Sequence, residues 1–216
     1  MNKEKIYIFD TTLRDGAQTQ GVDFSIDDKL KIAKALDDLG VDYIEGGWPG
    51  ANLTDTEFFQ KKIKLNNSIL TAFGMTKRSG RSADNDPGLS SILNSNTTAV
   101  CLVGKSWDFH VDVALGISNK ENLENISESA KLFVKENKEF MFDAEHFFDG
   151  FKNNEDYALS CIKSAYDNGA KWIILCDTNG GTLPHEISEI VSKVAKLVPG
   201  KNLGIHAHND TGNAVA

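Results

Sequence analysis

The chain is expected to fold as an α/β protein, a (β/α)8 barrel that stops after its seventh strand. Three observations predict this. Seven short apolar runs alternate with amphipathic stretches along the 216 residues. The runs are continuous rather than alternating, which suits strands buried on both faces of a parallel sheet. Polar, chemically capable residues follow most of the runs: Asp10, Glu45, Lys105, Glu145, Asp177-Thr178, and His206 with His208. A barrel gathers the C-terminal ends of its strands at one mouth, whereas an open doubly wound sheet would scatter several of these residues. The turn after the first run is DTTLRDG and not the glycine-rich turn of a dinucleotide-binding sheet.

The predicted strands are Lys5–Phe9, Tyr43–Ile44, Ile69–Phe73, Ala99–Val103, Phe140–Phe142, Trp172–Cys176 and Leu203–Ile205. Between the first two, Ser25 and Asp28 form a capping-box pattern. Ile26, Leu30, Ala33, Leu36 and Leu39 keep helical spacing there, and Gly40 is placed to end the helix. Leu123, Ile126, Ala130, Phe133 and Val134 predict a second helix; Tyr157, Cys161, Ile162 and Ala165, ahead of Gly169, predict a third. Pro184 opens a fourth through Ile187, Ile190, Val191, Val194 and Leu197, which Pro199-Gly200 closes. A complete barrel needs an eighth strand and usually about 250 residues. Residues 1–216 are therefore read as one catalytic barrel domain, incomplete at its C-terminus.

Composition narrows the partners. A net charge of −8 argues against nucleic acid or an anionic membrane surface. No apolar run approaches the length of a membrane span, and MNKEKIYIFDTT lacks the apolar core of a secretory signal. Cys101, Cys161 and Cys176 are odd in number and scattered through apolar segments, so buried thiols in a reducing cytoplasm are expected.

His206-Ala207-His208 is the sharpest chemical signal. Side chains at i and i+2 of a strand share a face, so both imidazoles can reach one ion; the competing reading is a pair of solvated histidines. Asn209-Asp210 follow, where partners that orient ligands are useful. Asp10 and Asp15 flank Arg14 at the first strand end. An acid from this turn and the two histidines would suit a borderline divalent ion with open positions, and an Asp/Arg pair tying down a loop is the alternative. Glu145 is a candidate acid/base or ligand-orienting residue, with His146 pointing to the other side by strand alternation. Thr178 can donate its hydroxyl to a substrate carboxylate, while Asp177 reads as a turn residue. His110 either lines the mouth or packs a loop. Lys77, Arg78 and Arg81 are either phosphate contacts or a solvated loop, and Trp48-Pro49-Gly50 reads as a rigid turn with Trp48 packing.

DTTLRDGAQ (residues 10–18), DTNGGTLP (177–184) and HAHNDTGNAVA (206–216) resemble the 2-isopropylmalate/homocitrate/citramalate synthase superfamily, which includes hydroxymethylglutaryl-CoA lyase. EGGWPGANLTDTEFF (45–59), GKSWDFHV (104–111) and FDAEHFFDG (142–150) look most like the citramalate synthase branch. The resemblance implies a metal-assisted condensation of acetyl-CoA with a small 2-oxo acid, pyruvate in that branch, using Zn, Mn or Mg. It implies that Asp15, His206 and His208 bind the metal, with Asp10 and Asn209 behind them. It implies further that Arg14 contacts the keto oxygen, Thr178 holds the carboxylate, and Glu145 lines the pocket; His110 stands as a further candidate substrate contact. A homodimer is expected on the same ground. Within the superfamily the rivals are 2-isopropylmalate synthesis and the C–C cleaving lyase reaction, and outside it a non-catalytic, self-associating barrel fragment.

Overall fold

The computed structural model describes residues 5–216. Seven strands, β1 (Phe9–Asp10), β2 (Tyr43–Gly47), β3 (Ile69–Met75), β4 (Ala99–Lys105), β5 (Glu139–Glu145), β6 (Trp172–Asp177) and β7 (Leu203–Ala207), lie in one sheet in chain order. That monotonic order is the one a β/α barrel requires, and a doubly wound sheet would reverse it. The chain divides into two compact units, one running to Gly74 and including Pro87–Cys101, the other made of Met75–Asp86 and Leu102–Ala216.

In the first unit β1 pairs with β2, and β2 with β3, all parallel. Every residue of β2 is buried, although the predicted apolar run covers only Tyr43–Ile44. Helix α1 (Ile26–Leu39) begins at the expected capping box: Ser25 Oγ accepts from the Asp28 N–H, and the Asp28 carboxylate accepts from the Ser25 N–H. It ends at Gly40, whose left-handed φ of 87° costs a glycine no Cβ clash. The helix's buried residues are not the predicted leucines: Leu39 is 77% exposed, while Lys29, Ala33 and Asp37 are buried. Two charges are tolerated inside because both are satisfied. Asp37 accepts the N–H groups of Asn66, Asn67 and Ser68, each at 2.8 Å. Lys29 donates to the Gly46 carbonyl at 3.0 Å and forms an ion pair with Asp55. Asp55 sits on α2 (Leu53–Gln60) and accepts from the Trp48 N–H at 2.8 Å, so one buried carboxylate fixes the whole Gly46–Asn52 connection. Trp48 meets Phe73 edge-on at 5.6 Å, the packing role expected of it. A short helix, α3 (Pro87–Leu93), completes this unit.

In the second unit β5 pairs with β6, and β6 with β7, again parallel. After β4 come the single turn α4 (Asp108–His110), a π-helical turn over Val111–Leu115, and α5 (Asn119–Lys135). Helices α6 (Phe147–Asn153) and α7 (Glu155–Asp167) follow β5, and α8 (Pro184–Val194) follows β6. α5, α7 and α8 match the sequence reading, although α8 stops at Val194, short of the predicted Leu197, which is 45% exposed. The first predicted strand is likewise shorter than expected. Ile6 and Ile8, 83% and 55% exposed, lie outside β1, so the apolar run Lys5–Phe9 is not a buried strand over its length. All three cysteines are buried free thiols. No helix among the described residues is long and apolar enough to cross a membrane.

Candidate active site

The first unit supplies a rigid acidic and cationic turn. After β1, the Asp10 carboxylate accepts from the Thr12 N–H at 2.9 Å and from its hydroxyl at 3.1 Å. The Thr11 carbonyl then accepts from three successive N–H groups, those of Arg14, Asp15 and Gly16. Gly16 thus belongs to a helical turn (Gly16–Gln18) and supplies no left-handed bend. This coil turns Arg14 toward β2, where its Nε donates to Glu45 Oε2 at 2.6 Å; its Nη1 donates to Asp15 Oδ1 at 3.0 Å. The guanidinium lies over the Phe73 ring, 4.0 Å from its centroid. Glu45 is wholly buried, so the arginine fork is held by a charge, a ring and a neighbouring carboxylate at once. Asp10 serves the turn and Asp15 stands beside the arginine.

The second unit carries the remaining predicted residues. Lys105, at the end of β4, forms an ion pair with Glu145 at the end of β5. His146 follows Glu145 in the left-handed region, φ 53°, so it leaves the strand pattern altogether. Its N–H donates to Thr178 Oγ1 at 2.9 Å. Because that hydroxyl accepts from the backbone, its own hydrogen remains to be donated elsewhere. The His146 ring meets His110 edge-on at 4.3 Å, and both rings pack against Trp107, at centroid distances of 5.9 and 4.7 Å. His110 therefore packs within this aromatic cluster. Burial, then the neighbouring His110, holds the His146 imidazole below its ordinary value of 6.5.

Asp177 is the turn residue it was read to be: its carboxylate accepts from the Thr182 N–H at 3.1 Å and the Thr182 hydroxyl at 2.9 Å. The Asp177 carbonyl accepts from the His208 N–H at 3.2 Å, and the Gly180 carbonyl accepts from the Thr211 N–H and hydroxyl. The loops after β6 and β7 are thereby laced together. His206 lies within β7 and His208 follows it; their rings are 5.2 Å apart, as expected of neighbours on one strand face. Asn209 uses its side-chain oxygen to accept the Ala214 N–H at 3.1 Å, capping the turn that follows. Of the basic loop after β3, Lys77 is buried, donates to the Arg81 carbonyl and pairs with Glu128, while Arg78 and Arg81 are exposed.

Sequence reasoning missed two of these features. Glu45 reads in sequence as a polar residue following the run Tyr43–Ile44, and its one signal as the arginine's partner is an acid lodged directly against that apolar pair. The Lys29–Asp55 pair was hidden because a single lysine on a helix reads as solvated.

Comparison with known proteins accords with this arrangement. The HMGL-like family model matches residues 5–216. The chain is 53% identical, over 99% of its length, to "(R)-citramalate synthase" of Aquifex aeolicus, and 47% identical, over all of its length, to that of Sulfolobus acidocaldarius. It spans only 41% and 42% of those two proteins. It is 33% identical to a 2-isopropylmalate synthase of Sulfolobus acidocaldarius, covering 100% of this chain and 54% of that protein. The hydroxymethylglutaryl-CoA lyase of Pseudomonas aeruginosa superposes with a TM-score of 0.81 at 19% identity, covering 98% of this chain and 71% of that one, a likeness of fold. With the family model matched along residues 5–216 and the strand order that the fold demands, the chain belongs to the HMGL-like family.

Proposed function

We propose that this chain is the barrel portion of an acyltransferase of the citramalate synthase type, joining the acetyl group of acetyl-CoA to pyruvate. The observation that carries the reading is the grading of identity. Five (R)-citramalate synthases match at 45–53%, against 33–35% for a 2-isopropylmalate synthase and two homocitrate synthases.

The donor set supports a divalent ion. His206 and His208 offer two imidazoles from neighbouring positions of one strand, and Asp15 is the carboxylate proposed to complete the protein ligands. Zn, Mn or Mg bound there would act as a Lewis acid toward a 2-oxo acid. The chain's own residues carry the rest. Arg14, braced by Glu45, offers its remaining N–H groups to the keto oxygen, where negative charge accumulates as the acetyl carbon adds to the carbonyl carbon. Thr178, its oxygen already accepting from His146, donates its hydroxyl hydrogen to the substrate carboxylate. Glu145, steadied by Lys105, lines the pocket as the candidate acid/base group, and His110 shapes its wall with Trp107. A base takes a methyl proton from acetyl-CoA before the carbon adds, the former keto oxygen gains a proton, and hydrolysis of the thioester by water releases CoA and the dicarboxylic product. A homodimer and a cytoplasmic setting complete the proposal; buried free thiols are compatible with a reducing compartment.

The test is thiol release from acetyl-CoA by the intact protein, with pyruvate or 2-oxoisovalerate and with added Mn, Mg or Zn. Pyruvate-dependent, metal-dependent release that disappears in His206→Ala supports the reading. Release with 2-oxoisovalerate alone would replace it by 2-isopropylmalate synthesis, and release with no oxo acid would overturn it.

A further inference from the structure

The second unit contains a ligand set that the proposed reaction does not use as such. Asp143 on β5, Cys176 on β6 and His206 on β7 offer a carboxylate oxygen, a thiol sulfur and an imidazole nitrogen that all lie within 4.8 Å of one another. Their convergence follows from register. Cys176 is the direct partner of His206 across the β6–β7 ladder, and Asp143 pairs with Ile174, two residues before Cys176. Period-2 alternation puts Asp143 on the face of Glu145, and Cys176 on the same face as Ile174, Asp143's partner across the ladder. Asp143 and Cys176 are only 4% and 6% exposed, so this is no solvated acidic cluster.

We propose that Asp143, Cys176 and His206 form a site for a thiophilic divalent ion such as Zn or Co, lying deeper in the strands than the ion proposed at His206 and His208. Tetrahedral zinc with bonds of about 2.3 Å to sulfur and about 2.0–2.1 Å to nitrogen sets ligand atoms roughly 3.3–3.6 Å apart, so side-chain shifts of about 1 Å close the set. The thiolate decides which ion enters. Sulfur favours Zn and Co over Mg, whose preferred ligands are oxygens. Binding releases the thiol proton to solvent and leaves a Cys, His and carboxylate set with one tetrahedral position for water. His206 belongs to both ligand sets, so an ion held here withdraws one ligand from the ion of the proposed reaction; this last consequence alone rests on the functional reading.

Titration of the intact protein with Co tests the site without reference to activity. A thiolate-to-cobalt charge-transfer band is expected in the native protein, in Cys161→Ser and in His208→Ala. Cys176→Ser, close in size to cysteine, is expected to abolish the band while leaving the circular dichroism and melting temperature unchanged, and Asp143→Asn to weaken Co binding by about 10-fold or more. Zn should displace Co from the native protein and erase the band, and equimolar Mg should not. Absence of the band from the native protein, its survival in Cys176→Ser, or its displacement by equimolar Mg each overturns the proposal. Loss of the band in His208→Ala would also overturn it, because the thiolate contact would then belong to the ion at the two histidines. Failure of the thiol-release assay leaves all of these readouts intact, so the two readings fail separately.

Discussion

Arg14 Nε and Glu45 Oε2 lie 2.6 Å apart, with the arginine side chain 12% exposed and the glutamate not exposed at all. Breaking a buried pair from one side strands the other charge, which typically costs about 3–5 kcal/mol. Glu45→Ala is therefore expected to lower stability by about 3 kcal/mol in urea unfolding, with Glu45→Gln losing less because it still accepts a hydrogen bond. Arg14→Lys keeps the charge but not the fork, and should lower kcat by roughly 10-fold or more in the acetyl-transfer assay while the fold melts close to normally. Equal activity in Arg14→Lys would remove Arg14 from its proposed role.

The Lys29–Asp55 pair makes a different demand. It serves a loop, the Gly46–Asn52 connection, from beneath. Lys29→Met should destabilise the protein by about 3 kcal/mol, since Asp55 is left charged and mostly buried. The double variant Lys29→Met/Asp55→Asn should recover part of that loss, and a simple sum of the two single effects would show that the residues do not interact.

Thr178 stands between a fixed backbone donor and its proposed substrate. Thr178→Val removes the hydroxyl, leaving the His146 N–H without its acceptor. The KM for the 2-oxo acid is expected to rise about 10-fold or more, about 1.4 kcal/mol per factor of ten, with KM for acetyl-CoA little changed. Thr178→Ser should restore most of the binding. Equal rises for both substrates would argue for loop damage instead.

His146 gives the site an acid limit. Its folded-state value lies below the ordinary 6.5, first through burial and second through His110. The unfolded chain thus takes up this proton before the folded one does. The stability it contributes is fully present above about pH 6.5 and is lost as the pH falls through the folded value. Following the ring by NMR should show a neutral imidazole persisting below pH 6.5, and His110→Phe should move its titration upward by removing a like charge. An unshifted His146 would contradict the packing of the two rings.

How much of this was written legibly in the chain depended on the length of each signal. β4, β5 and β6 announce themselves as continuous apolar runs, because strands buried on both faces need nothing else. α1 was legible at its ends, through Ser25, Asp28 and Gly40, but not along its face: burial of Lys29 and Asp37 depends on partners far away in sequence that no local periodicity encodes. The short helices α2, α3, α4 and α6 went unread for a related reason. Pieces of three to eight residues carry too little repeating pattern and are held by caps, such as Asn52 at the start of α2, or by neighbours. At the site, the i, i+2 spacing of His206 and His208 was enough to pair them. The tie between the His146 backbone and Thr178 was not foreseeable, because it requires a non-glycine residue in a left-handed conformation at the end of an ordinary strand.

The lacing of the two loops after β6 and β7 has a kinetic meaning as well. The segment 177–182, with Thr178 among its first residues, is stapled by Thr182 to Asp177 and by Thr211 to Gly180. On the proposed function, an incoming 2-oxo acid meets a segment whose hydrogen bonds are already made in the folded chain. Little ordering entropy is left to lose on arrival, so the contacts made there go into residence time instead of taming a floppy gate.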